Sequence, residues 1–266
     1  MSVHLHQLHF VIGFSICLGL LGCSNFVPRS SDSLDLPTIS DQTQSERRSR
    51  LRLDLASAYF ENGQSEIALD EIKQALSIYA PLADAYNLRG LIYASMAMND
   101  LAKQNFKKAI QLSPKNARFW HNQAWFYCQI DQLNEARTFF EKAIQLSTPV
   151  EIAKTWLAYG ICEAKAHNWN RAESLLVLAN ERDPNNVMSK LNFAEVLYQL
   201  HKFDRALKLV TEIKHNLSYK DSSVLWLEWR VQKKIGNDNA AKVIASEIQL
   251  RFPNSPEYTL LNTGRY

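Results

Sequence analysis

The feature that most constrains this chain is that it repeats itself. Alanines stand at Ala68, Ala102, Ala136, Ala172, Ala206 and Ala241, spaced by 34, 34, 36, 34 and 35 residues. Twelve positions before each lies Ala56, Gly90, Ala124, Gly160, Ala194 or Trp229, small in every copy but the last. Tyr59, Tyr93 and Tyr127 follow the first three of these by three residues. Seven positions after the alanine column come Ala75, Ala109, Ala143 and Ala179, then Ile213 and Ile248, with Phe106 and Phe140 in between. Pro81, Pro114, Pro149, Pro184 and Pro253 punctuate the ends. A period of this length predicts stacked supersecondary units. Each copy reads as two antiparallel helices whose small residues, at one height, let the backbones approach closely. A hairpin this small cannot bury its apolar face alone, so the copies must stack on one another.

The columns resemble the tetratricopeptide repeat (TPR), and the resemblance covers Ser49 to Asn254. The copies run 49–82, 83–116, 117–152, 153–186, 187–221 and 222–254, with a two-residue insertion around Thr148–Glu151. The third is the clearest and the sixth is degenerate. The implied fold is all-α, a superhelix of about six repeats. Only 8 of the 266 residues are glycine, and the repeats account for most of those beyond the leader. Gly90 and Gly160 occupy the small-residue column; Gly63 and Gly236 fall in the turn between helices, where positive φ is needed. In such arrays the first helix of each copy lines a concave groove. By position in the repeat, that groove is assigned Leu53, Ser57, Phe60, Asn87, Leu91, His121, Trp125, Leu157, Ile161, Leu191 and Tyr198. Exposed apolar and aromatic side chains there suit a partner's helix or extended peptide. The alternative for each is packing against the next repeat.

The N-terminus carries a different signal. Phe10 to Leu21 is a short apolar run, too short to span a bilayer comfortably, ending in Leu20-Leu21-Gly22-Cys23. That ending resembles the bacterial lipobox. The resemblance implies a signal peptide at 1–22, cleavage before Cys23, and acylation of its sulfur and new amine. Several acyl chains would give a stable anchor where one binds marginally. Met1 to His9 contains no Lys or Arg, and an ordinary cleaved signal or an uncleaved anchor is the alternative. Ser24 after the cysteine favours the outer membrane by resemblance to Gram-negative sorting rules. Residues 23–48, rich in Ser, Asp, Thr, Gln and Pro, read as a flexible tether, and 255–266 as a C-terminal tail.

Little in the chain points to chemistry. His121, His167, His201 and His215 are scattered over four repeats without Cys or carboxylate at ligand spacing, so no metal site is expected. Gly-rich phosphate loops, His-Glu-x-x-His and Gly-x-Ser-x-Gly motifs are missing. The expectation is no enzyme and no cofactor beyond covalent lipid on Cys23. Thirty Lys and Arg against 27 Asp and Glu, a net +3, argue against nucleic acid, which needs a concentrated basic face. Besides Cys17 and Cys23, the cysteines are Cys128 and Cys162, both late in the first helix of adjacent repeats. Those helices pack side by side, so the sulfurs can meet, and an oxidising periplasm favours a disulfide. Two buried free thiols are the alternative; a redox-active pair is disfavoured without Cys-x-x-Cys.

Six repeats, the lipobox, the Cys128 and Cys162 pair and the ending Phe252-Pro253-Asn254-Ser255-Pro256-Glu257 together resemble the type IV pilus biogenesis/stability lipoproteins, the PilF/PilW pilotin family. The resemblance implies a lipid-anchored protein on the periplasmic face of the outer membrane. It implies binding to subunits of the pilus secretin and promotion of their localisation and multimerisation. A general periplasmic TPR scaffold lipoprotein, for example for peptidoglycan hydrolases, is the second reading.

Overall fold

A computed structural model describes residues 43–215 and 221–264. The expected signal peptide, Cys23 and most of the expected tether lie outside the described residues, as do Arg265 and Tyr266. The described residues form thirteen helices in order: α1 (Gln44–Glu61), α2 (Ser65–Ile78), α3 (Ala83–Ser95), α4 (Asn99–Leu112), α5 (Ala117–Gln129), α6 (Leu133–Leu146), α7 (Ile152–Lys165), α8 (Trp169–Arg182), α9 (Val187–Gln199), α10 (Phe203–Lys214), α11 (Ser222–Lys234), α12 (Asp238–Arg251) and α13 (Pro256–Thr263). The first twelve pair as six hairpins, an odd-numbered A helix with the even-numbered B helix that follows.

The B helices have one design. Small, large and small residues at i, i+4 and i+7 line up on a single helix face. Ala68, Ile72 and Ala75 on α2, Ala102, Phe106 and Ala109 on α4, Ala136, Phe140 and Ala143 on α6, and Ala172, Leu176 and Ala179 on α8 are all fully buried or nearly so. The large residue presses on the small one in the A helix. A Cβ added to Gly90 would lie 2.8 Å from the Phe106 ring, and one added to Gly160 would lie 2.7 Å from Leu176. Ala56, Ala124 and Ala194 hold the same place elsewhere and are completely buried.

Every A-to-B turn contains one left-handed residue: Gly63, Ala97, Asp131, His167, His201 and Gly236, with φ between 56 and 79°. The sequence marks only the two glycines. The turns share a 6→1 backbone bond, for instance Met98 N donating to Tyr93 O at 2.8 Å and Asn168 N to Glu163 O at 2.9 Å. This closure fixes the left-handed conformation whatever residue occupies it.

Both ends differ from expectation. Helix α1 starts at Gln44 rather than Ser49, so residues 44–48 are helix and not tether. Thr43 Oγ1 accepts from Glu46 N at 3.1 Å, an N-cap with glutamate at the third position, and Ser49 Oγ donates to Ala75 O at 2.7 Å, holding α1 onto the end of α2. Most of the expected tail is helix α13, capped by Ser255 and with proline in its first turn. Tyr258 and Leu261 lay it over the cluster of Leu225, Trp229, Ile244 and Ile248, closing the sixth hairpin.

Gly90→Val drives a branched side chain into Phe106 and is expected to cost about 2–3 kcal/mol, read as a lowered midpoint in denaturant unfolding.

Candidate functional site

Each A helix approaches the A helix of the next repeat, whereas no two B helices of adjacent repeats come together. The A helices therefore form the inner face. Between α1, α3 and α5 that face opens into a cleft of about 520 Å³. Phe60, Leu91 and Trp125, all assigned to the groove from sequence, line it together with Ala94, Asn122 and Ile130. Apolar walls with an amide at the rim suit the buried side chains of a peptide segment. Sequence reasoning missed Asn122 and Ile130. Asn122 follows the assigned groove position directly, and its Nδ2 donates to Asn87 Oδ1 at 3.0 Å. Ile130 belongs to the turn, which the repeat pattern marks only by glycine.

Three assigned groove residues take the packing role instead. Leu53 is 9% exposed and sits in a core cluster with Ala56, Ile72, Leu82 and Leu88, where residues of α1, α2 and α3 meet. Asn87 is buried and accepts from Asn122 across the α3–α5 junction. His121 is buried at the α5–α7 junction, with Nδ1 3.1 Å from Thr155 Oγ1 and its ring edge-on to Phe140. Burial, helped by the charge of Lys154, pushes the His121 pKa down to about 4.

The other assigned residues are half-buried. Leu157 lines a second cleft, of about 640 Å³, with Val150, Lys154 and Met188. The two-residue insertion builds its rim: Thr148 Oγ1 donates to Glu151 at 2.8 Å and Arg182 Nε to Pro149 O at 2.7 Å. Leu191 and Tyr198 lie against the core of the fourth to sixth hairpins, and the Arg230 guanidinium sits 4.6 Å above the Tyr198 ring. Ser57 and Ile161 complete the face.

Ion pairs link neighbouring hairpins. Asp84 pairs with both Arg50 and Arg118, linking α1, α3 and α5. Between the third and fourth hairpins, the fully buried Glu163 accepts from Arg137 Nε at 2.7 Å and Nη2 at 2.8 Å, and from Asn168 at 2.8 Å. Burial alone would raise its pKa; the Arg137 and Asn168 hydrogen bonds and the charges of Arg137 and Arg171 outweigh that and hold the carboxyl below the usual range. One residue earlier, Cys162 is joined to Cys128 in a disulfide, with a Cα separation of 5.8 Å and both side chains buried. Among the described residues, no group of three or more potential ligands could hold a metal ion, and no helix is long and apolar enough to cross a membrane.

Comparison with known proteins bears on this geometry. Tetratricopeptide-repeat families match residues 83–116 and 105–138. PilW, described as a widely conserved type IV pilus biogenesis factor, superposes with a TM-score of 0.75 at 24% identity, over 83% of this chain and 99% of that one. The fold is a tetratricopeptide-repeat array. PilF of Pseudomonas aeruginosa gives 0.72 at 19% identity, over 84% of this chain and all of that one. The APC/C hetero-tetramer Cut9–Hcn1 gives 0.67 at 13% identity, over 82% of this chain but 43% of that one. No curated protein matches the chain in sequence. Repeat arrays of this kind present extended concave surfaces to other proteins.

Two measurements follow. An unfolded chain protonates His121 near 6.5, but the folded protein keeps it neutral down to about 4. Protons therefore favour the unfolded state across that interval, so stability falls as pH drops through it, and His121→Gln is expected to flatten the fall in pH-dependent melting. Reducing the disulfide, whose cysteines are 34 residues apart, is expected to cost ~3–4 kcal/mol by loop entropy, seen as a lower melting midpoint in dithiothreitol.

Proposed function

We propose that this chain is a pilotin, an outer-membrane lipoprotein that binds subunits of the type IV pilus secretin and promotes their localisation and multimerisation. The observation that carries this reading is the end-to-end likeness to PilW and PilF, in which all or nearly all of each neighbour is matched. The lipobox ending at Cys23 supports a covalent lipid anchor facing the periplasm. Anchor, tether and groove then divide the work: the acyl chains fix location, the tether gives reach, and the cleft around Phe60, Leu91 and Trp125 takes an apolar stretch of secretin. The disulfide suits the oxidising compartment this location implies. The role needs no catalysis, cofactor or nucleic acid.

Deleting the gene is expected to abolish secretin multimers and twitching. Normal pili with altered cell shape would instead support the scaffold for peptidoglycan hydrolases. A soluble Cys23→Ala protein that still localises secretin would falsify the sorting role.

A further inference from the structure

A third cleft lies on the opposite side of α5 from the one that Phe60, Leu91 and Trp125 line. Along that helix Asn122, Trp125 and Gln129 face the inner groove, while Trp120, Gln123 and Tyr127 line a separate cavity of about 430 Å³. The two sets follow the same i, i+3, i+7 spacing but are offset by two residues, about 200° around the helix. This outer cavity exists because adjacent B helices do not meet. It opens between α4 and α6, with α5 behind it.

Its lining is unusual for an outer face. Phe139 from α6 stacks on Tyr127 at 5.2 Å and lies 5.6 Å from Trp120, giving an aromatic wall. Gln123 is only 3% exposed, and its Oε1 has no hydrogen-bond partner. A buried carbonyl without a donor is a standing cost to the fold. Across the cavity Lys103 and Lys107 project from α4. Lys103 sits 5.8 Å from the Tyr127 ring, and neither lysine has an ion-pair partner among the described residues. On the following B helices, Arg171 and Arg205 each hold a glutamate, at 2.9 and 2.7 Å.

We propose that this cavity is a second protein-recognition site, which takes a tyrosine or tryptophan from an acidic segment of a partner protein. The three features each select part of that ligand. The aromatic wall takes a ring by stacking or edge contact. The unpartnered Gln123 carboxamide takes the ring's O–H or N–H, the one polar atom such a side chain carries inward. The free lysines take flanking aspartates or glutamates, which steer association and fix register. A plain aliphatic anchor would leave Gln123 unpartnered, and a basic segment would be repelled. The site is independent of the pilus reading and of the inner groove.

The test uses the full chain purified in detergent and a fluorescent peptide Asp-Glu-Trp-Glu-Asp, followed by anisotropy at low salt. Saturable binding is expected, weakened at least ~10-fold when the peptide tryptophan becomes alanine or when Lys103→Glu and Lys107→Glu are combined. Trp125→Ala, on the inner face, is expected to leave it unchanged. Gln123→Leu is expected to weaken the peptide several-fold while raising the melting midpoint of the unliganded protein, since it removes the unpartnered group. A purely structural Gln123 would not give that opposite pair. The proposal is overturned if no peptide binds, if the alanine peptide or Lys-Lys-Trp-Lys-Lys binds equally well, if the lysine reversals have no effect, or if Trp125→Ala removes binding.

Discussion

The array depends on one contact, the large side chain of a B helix seated over a small residue of its A partner. Phe106 over Gly90 and Leu176 over Gly160 leave no space for even a methyl group. That contact sets how close the two helices lie, and the spacing sets everything above it. Close A and B helices make a flat hairpin with apolar residues on both broad faces, which only a neighbouring hairpin can cover. The A helices then meet their successors while the B helices splay. Grooves on the inner side and furrows on the outer side are thus two results of one packing rule.

Polar groups between hairpins add specificity to this apolar stacking. Asn122 bonds Asn87, His121 contacts Thr155, and Arg137 grips Glu163, each across a junction between repeats or the hairpin beside it. A stack of similar apolar faces tolerates slips in register, but a buried donor facing no acceptor does not. The amide pair marks the junction of the second and third hairpins and the other two mark that of the third and fourth, so these hairpins fit one neighbour better than another.

The repeat was legible in the sequence because its contact is local: a small residue, a large one and fixed spacing are all visible along the chain. The same periodicity located the cysteine pair and three residues of the inner cleft, Phe60, Leu91 and Trp125. It could not separate a groove position from a junction position. Leu53, Asn87 and His121 share one column with Leu157 and Leu191, and only the neighbouring repeat decides which are covered. The start of α1 was missed because its cap, Thr43 with Glu46, lies in a polar stretch without apolar period. The four non-glycine left-handed turns were invisible for a related reason: backbone closure imposes them, not residue type. The outer aromatic cavity needs three helices at once, a coincidence no single repeat displays.

The disulfide between α5 and α7 has a consequence beyond local stability. In an array held by nearest neighbours, opening starts at the termini and travels inward one hairpin at a time. A covalent rung at the third and fourth hairpins stops that travel midway. The expected behaviour is that of a stiff hub with two arms that breathe separately, with amide protons in α5 to α8 exchanging last and those of either arm exchanging without reference to the other. The inner cleft spans arm and hub. Seating a partner there would quiet the first arm alone, leaving the second to fluctuate as before.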